Sequence, residues 1–329
     1  MDNNYDLGYL CKLRDWIPIE KLDTYLLSKN PNAIRLLEQH PNKIDWYGLS
    51  MNPNAIYLLE KNRDKIVWRF LSYNPNAIRL LEQNPNKISW HELSQNPNAI
   101  HILEKKPHKI FWGSLSFNPN AIRLLELNQN KINWLGLSCN PNAVHLWEKN
   151  LDKIVWGVLS LKPNAIHILE QNLDKISWFE LSQNPNAIPI LERNLDKVYW
   201  PLLSKNPNAI RLLEQNPDKI CWYSLSENPN AINLLEQNLD KIDWHKLSKN
   251  PNPNAIRLLE HNQKLDSNIL SGLSWTVLSE QLTIFEYDYE AMRLRMKPLA
   301  EQLMANRFHP RNFEKWIGWG FDECQECEF

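Results

Sequence analysis

The residues best suited to chemistry recur at a fixed interval. One free position follows the Ala-Ile phrase in every copy: Arg35, Tyr57, Arg79, His101, Arg123, His145, His167, Pro189, Arg211, Asn233 and Arg257. Five Arg and three His among eleven form a basic stripe along one helix face. Such a stripe can recognise acidic protein or a phosphate backbone. It can equally cover helix surface or pair with neighbouring Glu. Pro189 and Asn233 interrupt it, which weakens a nucleic-acid track.

A second set of positions varies from copy to copy. One reads Tyr47, Arg69, His91, Gly113, Leu135, Gly157, Phe179, Pro201, Tyr223 and His245; the other begins Met51, Tyr73, Gln95, Phe117, Cys139 and Leu161. Variable residues on a constant lattice are how solenoids encode a partner. Tyr73, Phe117 and Leu161 are candidates for an apolar interaction patch. The alternative is drift at tolerant surface positions.

The constant residues point to architecture. Glu38, Lys43, Ser50, Asn52 and the Trp at Trp46 recur with the period. Glu and Lys suit ion pairs or a bond to a helix start. Ser and Asn suit capping and a ladder to connector backbone groups. The Trp suit the core, with each indole N–H meeting a carbonyl. Cys324 and Cys327 form one CxxC without the further ligands a zinc site needs. There is no nucleophile elbow, phosphate loop or paired-carboxylate arrangement, and a near-identical lattice offers no asymmetric pocket. An enzyme is not expected, nor is a cofactor or metal.

The elements behind these positions follow one phrase, Leu-Ser-x-Asn-Pro-Asn-Ala-Ile-x-Leu-Leu-Glu, repeated every 22 residues from Asn30-Pro31 to Asn228-Pro229 and after 24 at Asn252-Pro253. A period in this range means a solenoid. Asn30 as N-cap and Pro31 at the first helical position predict a helix of eight to ten residues ending near His40-Pro41. A second element starts at Asn42 or its Asp equivalents and is a short α-helix or a 3-10 turn. The fold class is therefore all-α, a solenoid of about twelve units. Residues 1–20 form an N-terminal cap, 21–284 the solenoid with an irregular stretch at 261–274, and 285–329 a C-terminal helical cap and acidic tail. In that cap Asp288 starts one helix, Pro298 restarts another, and His309-Pro310 opens a last one.

The 329 residues carry a net charge of -1 with mixed signs. This argues against a generic nucleic-acid or membrane-surface binder. No apolar run is long enough to span a membrane. The polar start Met1–Asp6 lacks the regions of a secretory signal. Five scattered Cys suit a reducing compartment.

The phrase Asn-Pro-x-x-Ile-Arg-x-Leu alternating with Ile-x-Trp-x-x-Leu-Ser resembles the leucine-rich variant repeat, which implies alternating α and 3-10 helices. The Leu-Ser-x-Asn-Pro-Asn-Ala-Ile array also resembles the tandem-repeat proteins of giant DNA viruses of protists. The opening Trp16-Ile17-Pro18-Ile19-Glu20 and the closing Ile284-Phe285-Glu286-Tyr287-Asp288 carry that resemblance too. It implies origin and fold, a place in host cytoplasm or virion, and no activity. The function expected is a protein-binding scaffold. A nucleic-acid-binding solenoid using the Arg/His stripe is second, and a virion structural component third.

Overall fold

The computed structural model describes residues 11–265 and 273–307. It is an all-α repeat solenoid with one two-stranded sheet. Each unit has three pieces. A helix beginning at Trp, such as Trp46–Met51, leads through the Asn-Pro turn to a helix beginning at Ile, such as Ile56–Lys61. A short 3-10 turn, such as Arg63–Lys65, then returns the chain to the next Trp.

Both expected helix boundaries shift. Asn30 does not start a continuous helix. Its side-chain oxygen accepts from the Asn32 N–H at 3.0 Å, and Pro31–Ala33 closes as a 3-10 turn. The α-helix starts only at Ile34 and runs to Gln39, shorter than the eight to ten residues expected. An Asx bond two residues on favours a tight turn over the helical ladder. The second element is α-helical, and the 3-10 piece is the separate turn before it, Pro41–Lys43. Asn42 therefore does not cap it. Asp45, next to Trp46, does so by accepting from Gly48 N–H at 2.9 Å, because Ile44 is extended and breaks the two pieces apart.

Each unit with the Ala-Ile phrase buries its Ala, the Leu of Leu-Ser and, except where Trp147 replaces it, the second Leu of the Ile helix, as Ala55, Leu71 and Leu59 show. The periodic Trp lie against this core, half-buried, rather than inside it. They do not donate to carbonyls. At seven of the eleven the Lys of the following unit covers the ring instead, as Lys65 covers Trp46 at 4.9 Å and Lys131 covers Trp112 at 4.5 Å. This gives the recurring Lys a cation–π role. Trp147, the one Trp inside an Ile helix, is fully buried and donates to Leu137 O at 2.9 Å.

A polar ladder joins the units. The hydroxyl of Ser50 donates to Trp46 O at 2.7 Å and accepts from Val67 N–H of the next unit at 3.0 Å. The side-chain amide of Asn52 donates back to Ser28 O and Asn30 O, at 2.9 and 2.8 Å. Asn54 adds a third track by donating to Pro31 O at 3.2 Å. These Ser and the ladder Asn are buried, so their bonds satisfy groups that water cannot reach.

The ladder has no end. Following the N–H to Ser Oγ bond from unit to unit gives twelve links, each 2.8–3.3 Å, and the twelfth returns to the start. Ser248 accepts from Ser274 N–H, and Ser279 in that last unit accepts from Asp23 N–H of the first. Asn30 repeats the amide rung by donating to Ser279 O and Gln281 O. Lys21 covers Trp275 as the other Lys cover their Trp. The solenoid is therefore a closed ring of twelve units.

The segments expected to cap opposite ends meet at this seam. Strand β1, Cys11–Leu13, pairs antiparallel with β2, Phe285–Tyr287. Arg14 bonds Thr283 O at 3.0 Å and Glu286 at 3.3 Å, Lys29 pairs with Glu280 at 2.8 Å, and Arg35 with Asp288 at 2.6 Å. Beyond β2 the chain forms one helix, Tyr289–Arg307, with Pro298 inside it rather than a restart there. The expected helix at His309-Pro310 and the CxxC of Cys324 and Cys327 lie outside the described residues.

Candidate functional site

Closure gives the two helix sets different places. Successive Trp helices touch one another around the ring, while successive Ile helices stand further apart. In a closed ring the shorter circumference is the inner one. The Trp helices therefore form the inner wall and the Ile helices the outer wall. The Asn-Pro turns make one rim and the 3-10 turns the other.

The Arg/His stripe falls on the outer wall. Tyr57 is 56% exposed, and Arg79, Arg123, Arg211 and Arg257 are exposed, with no ion pair among the described residues. The three His are engaged by the Glu of the preceding unit: His101 with Glu82 at 3.1 Å, His167 with Glu148 at 2.8 Å, and His145 with Glu126. Arg35 is taken up at the seam by Asp288. The stripe thus splits into a pairing set and four free guanidinium groups.

Tyr73 and Phe117 lie on the other wall. Tyr73 ends the Trp helix Trp68–Tyr73, and Phe117 lies in the turn just after Trp112–Leu115; each is four residues after the position of Arg69 or Gly113 and continues its face. That face is opposite the buried Leu and Ser, and it looks into the ring. Tyr73, Phe117 and Leu161 are exposed there, as are Tyr47, Leu135 and Phe179. The candidate residues named from sequence therefore occupy two surfaces, not one.

The inner wall carries contacts between units that the repeat does not dictate. Tyr47 meets Phe70 edge-on with centroids 5.7 Å apart, and Phe179 lies 4.8 Å from Tyr199. Arg69 reaches Glu92 at 2.7 Å. Glu227 is buried and holds both Lys205 at 2.6 Å and Lys246 at 2.8 Å. Burial pushes its carboxyl up, but the two ammonium groups outweigh this and hold it below the usual carboxylate range. The bond to Glu227 raises Lys246 in turn. Sequence reasoning missed Glu227 as a site residue. Its signal was an acidic residue between Lys205 and Lys249 at one ring position, the only Glu at that position from Met51 to Lys249.

Two glycines shape this wall. A Cβ at Gly113 or Gly157 would meet nothing within 4 Å, so packing does not require them. They leave open notches on either side of Leu135.

Among the described residues no group of three His, Cys, Asp or Glu is placed to hold a metal ion. Cys139 and Cys221 are free thiols. No helix among the described residues is long and apolar enough to cross a membrane. No family model, curated protein or solved structure matches this chain.

Proposed function

We propose that this protein is a non-enzymatic ring scaffold that binds a protein partner against its inner wall. The observation that carries the reading is the division of labour within the unit. Constant Ser, Asn, Trp and Lys are consumed by the closed ladder, whereas the variable side chains at the positions of Tyr47 and Met51 project from the inner helices. Exposed Tyr and Phe on a rigid support are the residue types that dominate protein interfaces. The resemblance to giant-virus repeat arrays supports action in infected cells, in host cytoplasm or in the virion.

Site-specific photocrosslinking tests this reading. A photoreactive residue at Tyr73 or Phe117 should give discrete protein adducts in infected protist cells, and one at Tyr57 on the outer wall should not. Absence of adducts from both inner positions would count against an inner-wall partner. Proteomics of purified particles separates a host-cell role from a virion component.

The four unpaired Arg of the outer wall favour nucleic acid as the second reading. Filter binding with mixed RNA and DNA decides it. Submicromolar binding that weakens steeply with salt, and weakens again in Arg79→Ala with Arg123→Ala, would favour that reading.

A further inference from the structure

The connector of one unit departs from the lattice twice, once by an added ammonium group and once by an imidazole in place of Asn or Asp. In eight units an Asn ends the Ile helix by donating its side-chain amide to the carbonyl four residues back, as Asn62 does to Leu58 O and Asn84 to Leu80 O, both at 2.9 Å. Lys106 stands at that position and makes no such bond. Two residues on, His108 stands where other units carry Asn or Asp, such as Asn86, Asn130 and Asp152. With Lys105 and Lys109 this places three ammonium groups and an imidazole within five residues. All four side chains are exposed, and none has a partner among the described residues.

These groups surround a cavity of about 620 Å³ between this connector and the one before it. Its apolar lining is Pro85, Ile88, Trp90 and Ile102. Lys109 lines the cavity beside Trp90 and is not placed over its ring as Lys131 is over Trp112. The one carboxylate in the lining, Glu82, is taken up by His101 at 3.1 Å. The size lies within the range that holds small molecules.

We propose that this cavity binds a nucleoside polyphosphate, its base against Trp90 and its phosphates among Lys105, Lys106 and Lys109. A flat ring suits an indole in the lining, and clustered ammonium groups suit a compact polyanion. The two flanking connectors carry one basic residue each, Lys87 and Lys131, with Asn86 and Asn130 at the position of His108. A local cluster fits a small ligand and not a polymer tracked around the ring. The site is independent of the inner wall and of the protein-binding reading.

The test is isothermal titration of the full-length protein with ATP at physiological salt, with inorganic tripolyphosphate and a short single-stranded RNA as comparison arms. One-to-one ATP binding is expected, with tripolyphosphate at least tenfold weaker. Lys106→Asn removes one charge and restores the lattice bond. It should weaken ATP at least tenfold while melting at or above the parent temperature, which separates lost binding from lost folding. Trp90→Leu should weaken ATP more than tripolyphosphate. No ATP binding, unchanged affinity in Lys106→Asn, tripolyphosphate as tight as ATP, or RNA tighter than ATP would each overturn the proposal.

Discussion

The Asp23 backbone N–H donates to the Ser279 hydroxyl across 256 residues of sequence, at 2.8 Å. It is the bond that joins each unit to the next, here joining the last unit to the first. Asn30 completes the rung by bonding Ser279 O at 3.2 Å and Gln281 O at 3.0 Å. Because this seam is built like the rest of the ring, Asn30→Ala should cost as much as Asn118→Ala. Each removes two bonds and leaves a buried Ser carbonyl, Ser279 O or Ser94 O, without its donor, and should lose about 1–3 kcal/mol. Urea denaturation of both variants checks this. A seam variant as stable as the parent would mean that the ring is not held closed in solution.

One rung is missing. Lys162 stands where every other unit from the first to the eleventh has the ladder Asn, so Ser138 O and Asn140 O receive no amide from its side chain. Lys162→Asn should supply those two bonds and the Asx bond to Asn164 N–H. A gain of about 1–3 kcal/mol is expected, read as a higher melting temperature. No gain would show that Ser138 O is already satisfied by water, as Asn140 O is by Ala143 N–H at 3.2 Å.

The glycines of the Trp helices separate into two kinds. At Gly48 a Cβ would fall 2.3 Å from Tyr25 O of the preceding unit, a backbone atom that cannot turn aside. Gly48→Ala should therefore destabilise, by about 1–3 kcal/mol. At Gly113 there is open space, so Gly113→Ala should stabilise by about 0.5–1 kcal/mol through helix propensity alone. Opposite signs in thermal melts are the expected result. Like signs would show that the units are not spaced as described.

Glu227 makes acid sensitivity local. Its depressed carboxyl stabilises the fold fully above the ordinary value of 4.5 and loses that contribution as pH falls through the lowered one. The parent should therefore lose more stability between pH 7 and pH 3 than Glu227→Gln does. At pH 7 the variant should be weaker by about 1–3 kcal/mol, because Lys205 and Lys246 lose their shared carboxylate. Equal losses of stability on acidification would remove Glu227 from the account.

Much of the fold was legible because the repeat is explicit. Ala55, Leu59 and Leu71 fall where the phrase places apolar anchors, and all three are fully buried. The turn chemistry was misjudged, since Asn30 binds Asn32 N–H and spends Pro-Asn-Ala on a turn. Curvature was not legible, because it depends on how far apart two helix layers settle and no single residue states that. Yet the sequence held a signal of closure. Asn30 has the ladder amide although an open array would offer it no preceding carbonyl, and Ser279 has the ladder hydroxyl although no later unit follows to use it. The candidate residues were harder to place. Arg79 and Tyr73 are six residues apart in sequence and face opposite sides of the ring. Only closure separates those sides into an outside and an inside.

The endless ladder also bears on how such a chain can change by duplication. An open array gains or loses a unit by lengthening or shortening, and its interior is untouched. Here each of twelve units supplies one-twelfth of a full turn, and Ser279 must come back to Asp23. Inserting or deleting 22 residues would require every junction to bend by a different angle at once. Change in this lineage should therefore proceed by substitution within units, at the positions that the ladder leaves unused.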